Sequence, residues 1–282
     1  MNFKLIGAAI DACAGSRGSA DTPDRLVIAL KDIGLAFSEV FRYTGSRHEL
    51  AKLGPYFTQL AISTKAALQN SQFPIVVGGD HSCAIGSWSG IAHALAQKGE
   101  RLGLIWLDAH MDAHTPATTI TGNIHGMPVA SLLGYGYTEL TSILQDNPKL
   151  NPKDIILIGI RSFEDEEAKL LAQLGVKVYY NYEIKQQGFK QIFHQAWAKL
   201  AQSVDKIGLS IDLDGFDPEF TPGVGTPEPD GINFNHCLKE LAQLNLTKLV
   251  GVEITEGNDH FDPSGKTMQC IVDIINTIIK LV

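Results

Sequence analysis

The run Asp108-Ala109-His110-Met111-Asp112 sets two carboxylates and an imidazole at alternate positions. Before it and Leu107 stands Gly103-Leu104-Ile105-Trp106, an apolar stretch short enough for a buried strand. Side chains alternate faces along a strand, so residues two apart leave it on one side. Asp108, His110 and Asp112 are therefore expected together at a strand's carboxyl end, where open parallel sheets hold their ligands. A single Asp there needs no more than a polar strand cap. Three metal-ligating residues in alternation ask for more, because like charges repel unless cations or protons neutralise them.

Two other apolar runs end the same way. His81 follows the run 73–77 and the pair Gly78-Gly79, which permits a sharp exit from a sheet. Asp212 and Asp214, again two apart, follow the run 206–211. Parallel strands align their carboxyl ends, so these six side chains can converge although far apart in sequence. Four carboxylates and two neutral imidazoles carry about −4, which two divalent cations balance. The mixed set suits Mn²⁺, or Fe²⁺, Co²⁺ or Zn²⁺, better than an all-oxygen Ca²⁺ cage or a thiolate zinc site. Two such ions about 3.5–4 Å apart lower the pKa of a shared water and supply a nucleophile at neutral pH. The chemistry expected is hydrolysis without a covalent protein intermediate. No GxSxG elbow, P-loop or GxGxxG fingerprint competes with that reading. Gly78-Gly79 lacks a downstream Gly-Lys-Ser/Thr and leads into Asp80 and His81, which do not suit an anion.

The elements that must position these groups alternate along the chain. Strands are expected over 3–10, 37–43, 73–77, 103–106, 154–160, 176–180, 207–213 and 248–254. Helices are expected over 22–36, with Pro23 early, where its missing N–H does no harm, and over 49–70, with a break risk at Gly54-Pro55. Further helices are expected over 84–98, 164–174, 182–202, 233–244 and 267–280. Eight strands with helical crossovers predict a three-layer α/β/α sandwich around a mostly parallel sheet. No repeat or linker interrupts 1–282, so one domain is expected.

Composition sets the outer bounds. A net charge of −8 without a basic cluster argues against nucleic acid and anionic membranes. No apolar run approaches the roughly 18–20 residues of a membrane span, and the short strand-like Met1-Asn2-Phe3-Lys4-Leu5-Ile6 does not read as a signal peptide. Cys13, Cys83, Cys237 and Cys270 are scattered without CxxC spacing, as expected for reduced thiols of a cytoplasmic protein.

Gly78-Gly79-Asp80-His81-Ser82, Asp108-Ala109-His110-Met111-Asp112 and Ser210-Ile211-Asp212-Leu213-Asp214-Gly215-Phe216-Asp217-Pro218 resemble the three signatures of the ureohydrolase family, the arginases, agmatinases and their relatives. The likeness runs over about residues 6–256. Within that family, Thr115-Pro116-Ala117-Thr118-Thr119-Ile120-Thr121-Gly122-Asn123-Ile124-His125-Gly126-Met127-Pro128 looks like the arginase form of the substrate loop. Gly225-Thr226-Pro227-Glu228-Pro229 occurs across the family and does not discriminate. The resemblance implies two Mn²⁺ ions bridged by Asp108 and Asp212, one completed by His81 and Asp112, the other by His110 and Asp214. It implies that Asp112 takes the proton of the attacking water, that His125 carries a proton to the leaving amine, and that Glu256 pairs with the guanidinium. The substrate's amino-acid end is implied to meet His114, Thr121, Thr119 through water, and Glu164, with Thr226 also at the substrate. A homotrimer or hexamer is implied as well.

Two positions depart from the arginase pattern. His114 stands where an Asn usually meets the α-carboxylate, and Glu164 where an Asp usually meets the α-amino group. The loop Ala14-Gly15-Ser16-Arg17-Gly18-Ser19-Ala20-Asp21 also departs from the family's glycine-and-proline pattern. The expected activity is hydrolysis of L-arginine to L-ornithine and urea. Agmatine or another guanidino compound is the alternative substrate. A catalytically silent metal-binding relative is a third reading, opposed by the complete ligand set.

Overall fold

The computed structural model describes residues 2–282. Their strands are β1 (Asn2–Ala9), β2 (Glu39–Arg42), β3 (Gln72–Gly78), β4 (Leu102–Leu107), β5 (Ile155–Ile160), β6 (Lys177–Tyr180), β7 (Lys206–Asp212) and β8 (Leu249–Thr255). They form one eight-stranded sheet in the order β2-β1-β3-β8-β7-β4-β5-β6. Every pairing is parallel. Parallel central strands are covered on both faces, which is why β4 and β5 are buried along their whole length and read as unbroken apolar runs.

Helices cover both faces, giving the α/β/α sandwich. On one side, helices Asn181–Gln187, Phe189–Ser203, Phe234–Leu241 and Lys266–Leu281 contribute Ile184, Phe193, Leu241 and Ile275 to a core with Ile105, Leu209 and Val252 of the sheet. On the other, helices Leu50–Gln69 and Ala84–Ala96 bring Phe57, Leu60, Trp88 and Ile91 over Val76, Leu104 and Trp106. The strand order leaves β3, β8, β7 and β4 as four consecutive neighbours. Their carboxyl ends share one stretch of the sheet edge.

Four details differ from expectation. The helix Leu50–Gln69 runs through Pro55 without a break, because Leu53, Tyr56, Phe57 and Leu60 of its apolar face are buried in the core. The single helix expected over 182–202 is two, divided at Gly188 with φ +86°. The helix expected over 22–36 is two short pieces, Thr22–Arg25 and Val27–Asp32. Short helices Pro128–Leu132 and Thr138–Thr141 were not foreseen, being too brief for a periodic pattern. All four cysteines are free and buried. Among the described residues no helix is long and apolar enough to cross a membrane.

Candidate metal centre

β3 delivers the first group. A Cβ on Gly79 would lie 1.8 Å from the Ile10 carbonyl oxygen, so only glycine lets β3 leave the sheet this close to the end of β1. Asp80 then shapes the turn by accepting N–H bonds from Cys13 at 2.9 Å and Ser82 at 3.1 Å. His81 opens the next turn with its ring buried. From β4, Asp108 accepts Trp106 Nε1–H on Oδ2 at 2.8 Å and the His110 N–H on Oδ1 at 2.6 Å. The Trp106 indole also stacks on the His81 ring, with centroids 4.1 Å apart. From β7, Asp212 accepts the Asp214 N–H on Oδ1 at 2.8 Å, while Asp214 Oδ2 accepts the Thr226 hydroxyl at 2.9 Å.

These groups converge. His81 Nδ1 lies 2.8 Å from Asp212 Oδ2 and 3.2 Å from both Asp108 Oδ2 and Asp112 Oδ2. His110 Nδ1 lies 3.2 Å from Asp214 Oδ2 and 3.5 Å from Asp108 Oδ1. Two donor sets result, His81/Asp108/Asp212 and Asp108/His110/Asp214, sharing Asp108, which faces each through a different oxygen. Asp112 stands beside the first.

The cluster has the character of a cation site. His81 Nδ1 and Asp112 Oδ2 are buried without a hydrogen-bond partner, an arrangement costly in a protein unless a ligand completes it. Burial and the neighbouring Asp108 charge push Asp112 up to about 6, and burial with Asp214 and Asp108 raises Asp212 well above the carboxylate range. Burial opposes charge on His81 and His110, yet the surrounding carboxylates outweigh it and draw both imidazoles well upward. Asp108, despite burial, is held low by His110 and His81. A set that draws protons so strongly calls for positive charge, and its oxygen and nitrogen donors fit two divalent transition metals.

Above the cluster opens a cavity of about 280 Å³ lined by His110, Asp112, Asp212 and Asp214. His125 and Glu256 form another part of its wall. Glu256 follows β8 directly and accepts the His81 N–H at 2.8 Å and His125 Nδ1 at 3.0 Å, both on Oε1. Burial works against its charge, but His125 holds its pKa below the usual range. His125 is in turn raised to about 9, burial opposing and Glu256 prevailing. Asp112 and Glu256 both sit in left-handed backbone, at φ +50° and +64°. Such strain persists only where surroundings over-determine it, and it gathers at functional sites. Here it aims both carboxylates into one cavity.

His114, Gly126, Ser162, Glu164, Glu167, Thr226 and Glu228 complete the lining. His114 Nε2 is 2.9 Å from Glu164 Oε2 and 3.5 Å from Glu167 Oε2. Thr119 and Thr121 are not on the cavity wall. Their hydroxyl oxygens accept the Gly122 and Asn123 N–H groups at 3.0 and 3.2 Å and shape the loop.

Sequence reasoning passed over Glu167, Glu228 and Arg161. Glu167 caps the helix Asp165–Leu174 reciprocally with Glu164 and accepts the Ala113 N–H at 3.0 Å, and the Glu-x-x-Glu spacing at a strand end was the available signal. Arg161 ties the loop of Asp214 to that of Glu228 through main-chain carbonyls, which no local pattern announces.

A parallel α/β sheet whose central strands end in a carboxylate–imidazole cluster beneath an acidic cavity defines a metal-binding hydrolase. Residues 1–280 match the model of the arginase family, and the chain belongs to that family. It is 36% identical to the arginase of Bacillus subtilis, over 98% of this chain and 97% of that one. The crystal structure of arginase from Bacillus cereus superposes with a TM-score of 0.90 at 29% identity, covering 98% and 97% of the two chains. An agmatine ureohydrolase of Thermoplasma volcanium shares the fold at a TM-score of 0.77 and 22% identity, covering 99% of this chain and 88% of that one.

Proposed function

We propose that this chain is an arginase, hydrolysing L-arginine to L-ornithine and urea with two Mn²⁺ ions. The observation that supports it best is the meeting of the two donor sets with Glu256 and His125 around one cavity, in a chain similar to known arginases. His81, Asp108, Asp112 and Asp212 would hold one ion, and Asp108, Asp212, His110 and Asp214 the other. Bound there, the ions would activate water for attack at neutral pH.

The protein's own groups do the rest. Glu256, kept ionised by His125, accepts guanidinium N–H bonds and orients the planar group over the cluster. Asp112, with Oδ2 free of protein donors, takes the proton released as water adds to the guanidinium carbon. His125 has Nδ1 committed to Glu256, which leaves Nε2 to pass a proton to the departing amine of ornithine. His114 and Glu164 meet the α-carboxylate and α-amino group with Thr226 assisting, while Thr119 and Thr121 act only by shaping the loop that carries His125. The enzyme works in the cytoplasm as a one-domain protomer of a homotrimer or hexamer, on a small guanidino substrate and without nucleic acid or membrane.

One observation favours the second substrate, agmatine. His114 and Glu164 bind each other at 2.9 Å, so an α-carboxylate must displace an existing contact, whereas a lone amine needs only Glu164. Urea release from L-arginine and from agmatine, each with Mn²⁺-loaded protein, separates the two. Arginase requires a kcat/KM for L-arginine at least about tenfold higher, the value of one charged hydrogen bond. Equal or reversed preference overturns the assignment.

A further inference from the structure

Glu253 is a buried acid that the reading above does not use. It lies within β8, wholly shielded from solvent, level with Ser210 of β7 and Val76 of β3. A carboxylate removed from water is unfavourable unless hydrogen bonds replace its hydration. Four neutral donors do so here. The Trp88 indole N–H and the Ser210 hydroxyl donate to Oε2, each at 2.8 Å. The Ser87 hydroxyl and the Cys83 thiol donate to Oε1. An apolar residue would fill this sheet position with none of that apparatus.

The polarity of the network reaches the metal centre. Ser210 spends its only hydrogen on Glu253, so its oxygen can only accept on the other side. The group on that side is His81 Nε2, at 3.0 Å. Nε2 must therefore carry the ring proton. A neutral imidazole has one N–H, so Nδ1 is left with its lone pair, directed at Asp108, Asp112 and Asp212. The Trp106 ring, stacked within 10° of parallel, keeps the imidazole in that plane.

We propose that Glu253 is a positioning residue for the metal centre: through Ser210 it selects the Nε2–H tautomer of His81 and presents Nδ1 as a ligand. The inference rests on His81 being a metal ligand and is independent of which guanidino compound is cleaved. Groups that orient ligating histidines typically contribute about 10–100-fold to metal affinity.

The test uses Glu253→Gln, of equal shape but a neutral, weaker acceptor that no longer fixes the Ser210 hydroxyl, and Ser210→Ala, which cuts the chain. Mn²⁺ binding is followed by calorimetry, and the His81 tautomer by ¹⁵N NMR of metal-free, histidine-labelled protein at a pH alkaline enough to leave the His81 ring neutral, because, against burial, the carboxylates around Nδ1 favour its protonation. One Mn²⁺ equivalent should weaken by about 10–100-fold in each variant while the other holds. The His81 Nε2–H signal should be lost or mixed with its tautomer, and the double variant should be no worse than the weaker single one. Trp88→Phe removes a different Glu253 donor and should lower thermal stability while leaving both affinities in place. If Ser210→Ala keeps wild-type affinity and tautomer, or Trp88→Phe weakens Mn²⁺ as much as Glu253→Gln, the proposal is overturned. Wild-type protein that does not take up two Mn²⁺ equivalents overturns the metal reading itself, and this inference with it.

Discussion

Replacing Arg161 by Met tests how the Asp214 loop is held. Arg161 stands one residue past β5, and its guanidinium donates to main-chain carbonyls of separate segments. Nε meets Pro229 at 3.0 Å, and Nη1 meets Gly159 and Gly215, each at 3.2 Å. Nη2 meets Asp214 at 2.7 Å, Glu228 at 2.9 Å and Phe216 at 3.3 Å. Each bond from a charged donor is worth about 1.5–3 kcal/mol alone. The six cannot be added, because they share one cation whose burial is itself unfavourable and lowers its pKa. A net loss of about 3 kcal/mol is reasonable, at the low end for removing one partner of a buried charged contact. That corresponds to a melting temperature lower by about 6–12 °C. Lys supplies three donors from a point charge and should recover only part. Loosening the Asp214 carbonyl should also weaken Mn²⁺ on the His110 side, seen as a lower-affinity second equivalent in calorimetry. An Arg161→Met protein that melts within about 2 °C of wild type and titrates two unchanged equivalents would refute this account.

Three other outcomes are expected. His110→Ala should lose most of one Mn²⁺ equivalent and orders of magnitude in turnover while remaining folded, since β4 beneath it is buried and apolar; full metal content with normal activity would sink the ligand assignment. His125→Asn should keep both metals and lose on the order of 10²-fold in kcat, so metal lost along with activity would make the residue structural. Lys149 is buried with its ammonium on the Thr141 and Gln145 carbonyls, each at 2.6 Å, and burial, partly offset by Asp146, lowers it from 10.5 to about 8. Below about 8 the folded protein carries the full cost of that charge; above it the folded state sheds the proton while the unfolded chain keeps it to 10.5, so stability rises with pH between the two. Denaturant titrations should show this rise in wild type relative to Lys149→Met, and parallel pH curves would disprove it.

The strands were legible because burial on both faces of a parallel sheet leaves apolar runs that need no knowledge of neighbours, as Ile155–Ile160 shows. Helix limits were less so. The sequence raised a break risk at Pro55 and none at Gly188, yet only Gly188 divides a helix, since the buried face of Leu50–Gln69 compensates for one missing hydrogen bond. The candidate ligands were visible as acids and imidazoles two apart after apolar runs, but not by strand alternation: Asp108 and His110 lie past the end of β4 and Asp214 in a turn after β7, where the His110 N–H donates to Asp108 and the Asp214 N–H to Asp212.

What the sequence determined by itself was therefore chemistry of short range: which candidate ligands follow which apolar runs. The tertiary structure alone decided their company. β8 inserts between β3 and β7, which brings Glu256 to His81 and His125, residues 175 and 131 positions away. Left-handed backbone at Asp112 and Glu256 aims their carboxylates, and Ser210 connects Glu253 to the His81 ring. Strand order and backbone strain are set by the packing of the whole sheet against its helices, a sum over distant contacts that no local spacing encodes.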